Sequence, residues 1–127
     1  MAFTAYSGSH GYSNEDTVLF ANIITNLGGH YDTSTSKFTW PMNGTYMFAV
    51  NFLSSMGERM HVEIMREGTI LVRGLVENNE DEFNTGSAMV ITACSAQEQV
   101  WVRSLDTGNM QGSRYSYFSG FLLHPGV

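Results

Sequence analysis

The nine residues Gly44-Thr45-Tyr46-Met47-Phe48-Ala49-Val50-Asn51-Phe52 constrain this chain more than any other feature. In an extended backbone, side chains alternate between the two faces. Tyr46, Phe48, Val50 and Phe52 therefore share one face, and Thr45, Met47, Ala49 and Asn51 share the other. At helical spacing the same residues would scatter around the axis, so the run predicts a strand with one buried face. Shorter runs of the same kind follow at 60–65, 69–76, 87–94, 99–104 and 115–123, each bounded by Gly, Asn or Ser. Many short strands at this spacing predict an all-β sandwich. One segment reads differently: Ser13-Asn14-Glu15-Asp16 has the chemistry of a helix start and Gly28-Gly29 that of a stop, so local pattern predicts a helix across 18–26.

Composition narrows the function classes. The 127 residues suit one domain, and 43% hydrophobic residues are enough for a core. Six Lys and Arg stand against twelve Asp and Glu with no basic run, which leaves no electrostatic footprint for a phosphate backbone, so nucleic acid is not an expected partner. No apolar stretch approaches the roughly 20 residues of a helical membrane span. Met1 to Ser13 lacks the charged start and apolar centre of a signal peptide. The lone Cys94 cannot form an internal disulfide, and in an apolar strand it reads as a small buried hydrophobe. Neither a collagen repeat nor any internal repeat is present.

Phe20, Asn26, Tyr31, Phe38, Gly44, Tyr46 and Phe48 fall at the spacings F-x5-N-x4-Y-x6-F-x5-G-x-Y-x-F, joined by TNLGGHYD at 25–32, QVWV at 99–102 and FSGFLLHP at 118–125. This pattern resembles complement C1q globular-head domains, which share a fold with the tumour necrosis factor cytokines, and it covers the whole chain as a single domain, 1–127. The chain departs from it at Val50, where an aromatic is usual, and at Trp40, where many vertebrate members carry cysteine. The resemblance implies a ten-stranded jelly-roll β-sandwich assembled as a homotrimer. It overrules the local helix, because helix propensity is a weak prior that pairing into a sheet overrides. It also implies that Phe118 and Phe121 lie in the last strand as core or trimer residues.

Three groups of residues hold candidate chemistry. The run from Glu77 to Asn84 gathers four carboxylates and three amides. Hard oxygen ligands at that density suit calcium, although the plainer reading is a solvated acidic loop, since no EF-hand spacing is present. C1q-like trimers often hold calcium near their apex, so the resemblance points to Glu80, Asp81, Glu82 and Asn84 as ligands. Thr92 or Ala93 stands about where some calcium-binding members have a second aspartate. Three copies of these acids around a threefold axis would repel one another unless a cation or protons intervened. The loop Ser104 to Arg114, with Tyr115 after it, offers Asp106, Asn109, Gln111, Arg114 and Tyr115. Planar amides and carboxylates meet vicinal hydroxyls and an aromatic face meets the apolar side of a sugar ring, so these five are the candidate carbohydrate ligands, against the plainer reading of an exposed hairpin loop. His61 and Glu63 share one strand face, but two residues do not make a metal site and a solvent-facing pair is the default.

No acid, base and nucleophile set can be assembled from the sequence, so no catalytic residue is assigned. Asn43-Gly44-Thr45 matches the N-glycosylation pattern, yet Asn-Gly before a strand is also tight-turn chemistry. The turn is the expectation, with Gly44 packing the asparagine away. Taken with the resemblance to invertebrate C1q-domain lectins, these features imply a secreted, non-enzymatic recognition module of innate immunity that binds carbohydrate or microbial surface ligands. The alternative is an adhesion or signalling ligand for a protein receptor, cerebellin-like or tumour-necrosis-factor-like, docking through Arg59, Arg66 or Arg73.

Overall fold

Alternation in the sequence becomes burial in the structure, a computed structural model that describes residues 1–77, 83–105 and 108–126. Among the described residues, twelve strand segments occur in chain order: β1 (Ala2–Tyr6), β2 (His10–Tyr12), β3 (Asn22–Leu27), β4 (Tyr31–Asp32), β5 (Lys37–Thr39), β6 (Gly44–Ser54), β7 (Met60–Arg66), β8 (Thr69–Val76), β9 (Asn84–Cys94), β10 (Gln99–Ser104), β11 (Gly108–Met110) and β12 (Tyr117–Pro125). All pairings between them are antiparallel.

Both β11 and β12 pair with β6, while β2 pairs with β11 and β1 with β12. Each couple therefore fills one strand position. The first sheet runs β9, β6, β12 with β11, β1 with β2, and β3, and the second runs β4, β5, β10, β7, β8. Five positions in each sheet give ten strands in two layers, a jelly-roll sandwich as expected. The boundaries read from alternation hold to within a few residues for β6 to β10 and β12.

Tyr46, Phe48, Val50 and Phe52 all point into the sandwich and are fully buried. They meet Phe3, Phe20, Tyr31, Phe38, Trp40 and Phe118 there, in one cluster spanning both sheets. Phe3 stacks on Tyr31 at 4.7 Å and takes Phe118 edge-on at 5.0 Å, and Trp40 stacks on Tyr46 at 5.6 Å. Offset and edge-on aromatic pairs each add about 0.5–1.5 kcal/mol beyond the burial of their area. The spaced aromatics of the sequence pattern are thus one physical object. The asparagine of that pattern ties off a turn: Asn26 Nδ2 donates to the Tyr31 carbonyl (2.9 Å), and Tyr31 N–H donates back to Asn26 Oδ1 (3.2 Å). Tyr31 Oη then donates to the buried carbonyl of Phe20 (2.8 Å), and burial pushes its pKa up.

The helix expected across 18–26 is absent: after a turn at Asn14 and Glu15 the chain from 16 to 21 is extended, and 22–27 is strand β3. The chain leaves the first sheet after β2 and lies against β10, with Val18 N–H donating to the Val102 carbonyl and Ser104 N–H to the Asp16 carbonyl, both at 2.8 Å. It then returns to the first sheet as β3. Val18 and Phe20 are buried while Leu19 and Ala21 are exposed, a period of two that the apparent helix caps concealed. Backbone donors that find partners on a neighbouring strand outweigh the small propensity difference between helix and strand.

Candidate functional site

The eleven residues of β6 span the sandwich from Gly44 to Ser54 and define its two ends. Gly44 pairs with Pro125, and Ala2 and Phe121 pair in the row of Met47, so both ends of the described chain lie toward Gly44. At the Ser54 end lie two depressions.

The smaller, about 380 Å³, is lined by Leu53, Phe83, Gln111, Gly112, Ser113 and Tyr115. Tyr115 and Phe83 are 59% and 51% exposed, an unusual placement for two aromatic rings. The turn that presents Tyr115 is held from several sides. Ser116 Oγ donates to the Gln111 carbonyl (2.8 Å) and accepts from Leu53 N–H (3.0 Å), while Asn51 Nδ2 donates to the Tyr115 carbonyl (2.8 Å). Gln111 Nε2 donates to Ser55 Oγ, and Gly112 N–H donates to Ser9 Oγ (3.0 Å). Ser113 and Arg114 sit consecutively in the left-handed region, at φ 55° and 67°. Each such non-glycine residue costs of order 1 kcal/mol and persists only where its surroundings over-determine it.

The larger depression, about 640 Å³, is walled by Gly11, Gly57 and Gly108 and carries Glu58, Arg59 and Asn109. Asn109 N–H donates to Glu58 Oε2 (2.8 Å), and its Nδ2 donates to Oε1 (2.8 Å) and Oε2 (3.0 Å), which fixes the carboxylate.

The four described candidate carbohydrate ligands are therefore not one cluster. Gln111 and Tyr115 share the smaller pocket, and Asn109 belongs to the larger one. Arg114 lies over the ring of Tyr6, 4.9 Å from its centroid, and Asp106 lies outside the described residues. The loop is also less open than a plain hairpin, because β11 within it pairs with β2 and β6. Phe83 and Glu58 were missed as site residues. Each adjoins a candidate only through tertiary contact, and no spacing in the sequence brings them together.

Of the calcium candidates, Glu80, Asp81 and Glu82 lie outside the described residues. Asn84 begins β9 with its Nδ2 donating weakly to the Glu77 carbonyl (3.5 Å), which leaves Oδ1 without a partner among the described residues. An oxygen held this way is the donor type a hard cation takes. Among the described residues, no three His, Cys, Asp or Glu gather to hold a metal.

The reading of His61 and Glu63 as a solvent-facing pair is corrected. Glu63 is 0% exposed, between Arg103 on β10 and Arg73 on β8. Arg103 donates to Oε1 through Nε (2.9 Å) and Nη2 (2.7 Å), and Arg73 Nε donates to Oε2 (2.8 Å). Burial alone would raise the Glu63 pKa, but the two guanidinium groups outweigh it and hold the carboxyl below the usual range. The three arginines considered for receptor docking also separate. Arg59 lines the larger cleft, Arg73 is bound to Glu63, and Arg66 Nη1 crosses to the Ala93 carbonyl (3.0 Å). Cys94 is buried as expected, and burial pushes its thiol up to about 12.

The outward face of the first sheet is the remaining feature. Ile91, Met47, Phe121, Ala2 and Leu27 pair across all five strand positions in one row, and Ile91, Phe121 and Leu27 are exposed. Further toward Ser54, the row Ser87, Asn51, Tyr117 and Tyr6 is mostly polar.

A ten-stranded antiparallel jelly roll with an apolar outer face and depressions at its Ser54 end defines a sandwich domain with the fold shared by C1q and tumour necrosis factor proteins. The C1q domain family model matches residues 2–123, and the chain belongs to that family. Caprin-2 of Danio rerio is 31% identical over 113 residues, covering 87% of this chain and 12% of that protein. Complement C1q tumor necrosis factor-related protein 3 of Mus musculus is 26% identical over 126 residues, covering 97% of this chain and 51% of that protein. The chain thus spans at most about half the length of these relatives. Among solved structures, the globular domain of zebrafish complement 1qA superposes with a TM-score of 0.84 at 16% identity, over 98% of both chains. Eiger, a tumour necrosis factor from S. frugiperda, superposes with a TM-score of 0.83 at 13% identity, over 100% of this chain and 94% of the other.

Proposed function

We propose that this chain is a secreted recognition module that assembles as a homotrimer and binds carbohydrate on microbial or other repetitive surfaces. The observation that carries the reading is the pocket between Tyr115, Phe83 and Gln111. Two exposed rings supply an apolar face, and an amide and the Ser113 hydroxyl supply directional hydrogen bonds, the pairing of chemistries that a pyranose ring needs. A turn already locked in place loses little freedom on binding, which favours affinity from few contacts. Association through the Ile91, Met47, Phe121 and Leu27 face would remove those residues from water and set three pockets on one particle. Weak single-site affinity then multiplies on repetitive ligands. Calcium held by Asn84 with Glu80, Asp81 and Glu82 would relieve charge repulsion at that end.

A glycan array probed with the trimer, in calcium and again in chelator, tests the reading. Binding lost in Tyr115→Ala and Gln111→Ala variants is the expected result. An intact trimer that binds no glycan would sink it in favour of the second reading, a ligand for a protein receptor. That alternative draws support from the similarity to a C1q tumor necrosis factor-related protein and to Eiger, and Arg59 beside the larger cleft would then be the first docking residue to replace.

A further inference from the structure

We propose that Asn43 is the attachment point of an N-linked glycan, an inference that rests on the extracellular reading above. The sequence Asn43-Gly44-Thr45 satisfies the acceptor pattern. The structure removes the objection that close packing hides the asparagine: Gly44 is buried, but Asn43 itself is exposed. A Cβ at Gly44 would come within 2.8 Å of the His124 carbonyl oxygen, so the packing constraint falls on the glycine alone.

The amide of Asn43 is already oriented for a sugar. Its Oδ1 accepts from Ala96 N–H (2.7 Å), and its backbone carbonyl accepts from Gly126 N–H (2.9 Å). Both oxygens are engaged, while Nδ2 has no hydrogen-bond partner among the described residues. A glycan on Nδ2 leaves the Oδ1 bond in place and displaces nothing. Beside it lies a depression of about 330 Å³ lined by Asn43, Thr45, Arg66, Ser95 and Glu98 among others. A guanidinium, a carboxylate and two hydroxyls can meet the hydroxyls and acetamido group of a first sugar residue.

Position favours it as well. Asn43 precedes the first residue of β6, and the two depressions lie at the strand's other end, where Leu53 lines the smaller. At about 3.3 Å per residue the separation is roughly 35 Å, so a glycan at one end does not obstruct recognition at the other. The transfer forms a bond from Nδ2 to the anomeric carbon of an oligosaccharide carried on a polyprenyl diphosphate. The bond from that carbon to the diphosphate oxygen breaks, and the nitrogen's proton leaves with the diphosphate.

The test is expression behind a cleavable leader in a eukaryotic secretory cell, with intact mass and peptide N-glycosidase digestion of the secreted trimer. Because the leader imposes the route, a negative result speaks against Asn43 and not against the protein's own route of export. The expected result is one glycan per chain, removed by the enzyme to leave aspartate at 43, lost in Thr45→Ala and retained in Thr45→Ser. Should Thr45→Ala fail to be secreted, Asn43→Gln reports the same loss. Wild-type chain secreted at its bare mass, or a glycan that survives both replacements, would overturn the proposal.

Discussion

Replacing Arg103 with methionine isolates the most unusual group in the fold, the carboxylate of Glu63. Methionine keeps most of the aliphatic bulk of Arg103 and removes its two hydrogen bonds to that carboxylate, leaving the 2.8 Å bond from Arg73. Bonds to a charged group contribute about 1.5–3 kcal/mol each, and breaking a buried ion pair costs about 3–5 kcal/mol. Arg73 remains, but its side chain is 53% exposed and water competes for it. The Arg103–Glu15 contact, at 3.8 Å to an exposed carboxylate, adds little. Arg103→Met is therefore expected to cost about 2–4 kcal/mol at neutral pH, and Arg73→Met, losing one bond from a half-exposed side chain, about half as much.

The pH dependence separates this account from simple loss of packing. In the wild type the Glu63 pKa is depressed, so its contribution is fully present above the unfolded value of about 4.3 and is lost only as pH falls through the lower folded value. In Arg103→Met, burial faces one guanidinium where it faced two, the folded pKa rises, and stability declines from a higher pH. Urea unfolding at fixed chain concentration, followed by the fluorescence of the buried Trp40 from pH 3 to 8, reads both effects. A cost below about 1 kcal/mol, less than one bond to a charged group, or a pH profile parallel to the wild type, would refute the reasoning.

Three further outcomes follow from the packing and the surface. Gly120→Ala places a methyl within 2.7 Å of the rings of Phe48 and Phe3 and should destabilise by about 1–3 kcal/mol in the same urea assay. Trp40 buries an indole N–H with no partner among the described residues, so Trp40→Phe, which removes that donor as well as ring volume, should cost under about 1.5 kcal/mol by urea unfolding of the remaining fluorophore. Phe121→Asp puts a charge in the centre of the apolar row and should shift light-scattering mass from trimer to monomer while leaving strand content by circular dichroism unchanged; a trimer that survives it would place the interface elsewhere.

Legibility in the sequence followed the range of the interactions. Alternation is local, and β6 to β10 and β12 were readable because each strand carries its own two-residue period. β1 and β2 were passed over: β1 offers only five residues and β2 three, too few for periodicity to register. The segment 18–26 was misread as a helix by its apparent caps at 13–16 and 28–29. Its strand geometry depends on β10, more than eighty residues away, whose carbonyls take up its donors.

The sequence by itself determined the class: a β-sandwich whose spaced aromatics meet in one core. Only the tertiary structure decided which polar groups act together. Glu63 looked like a surface acid until register placed an arginine on each side of it. Gln111 and Tyr115 line one pocket, while Asn109 is held by Glu58 in another and Arg114 lies over Tyr6. Phe83, 32 residues before Tyr115, completed the pocket from another strand connection. Burial follows a pattern that a strand carries within itself, whereas a site depends on which strands lie side by side, and that is settled by hydrogen bonds between residues remote in the chain.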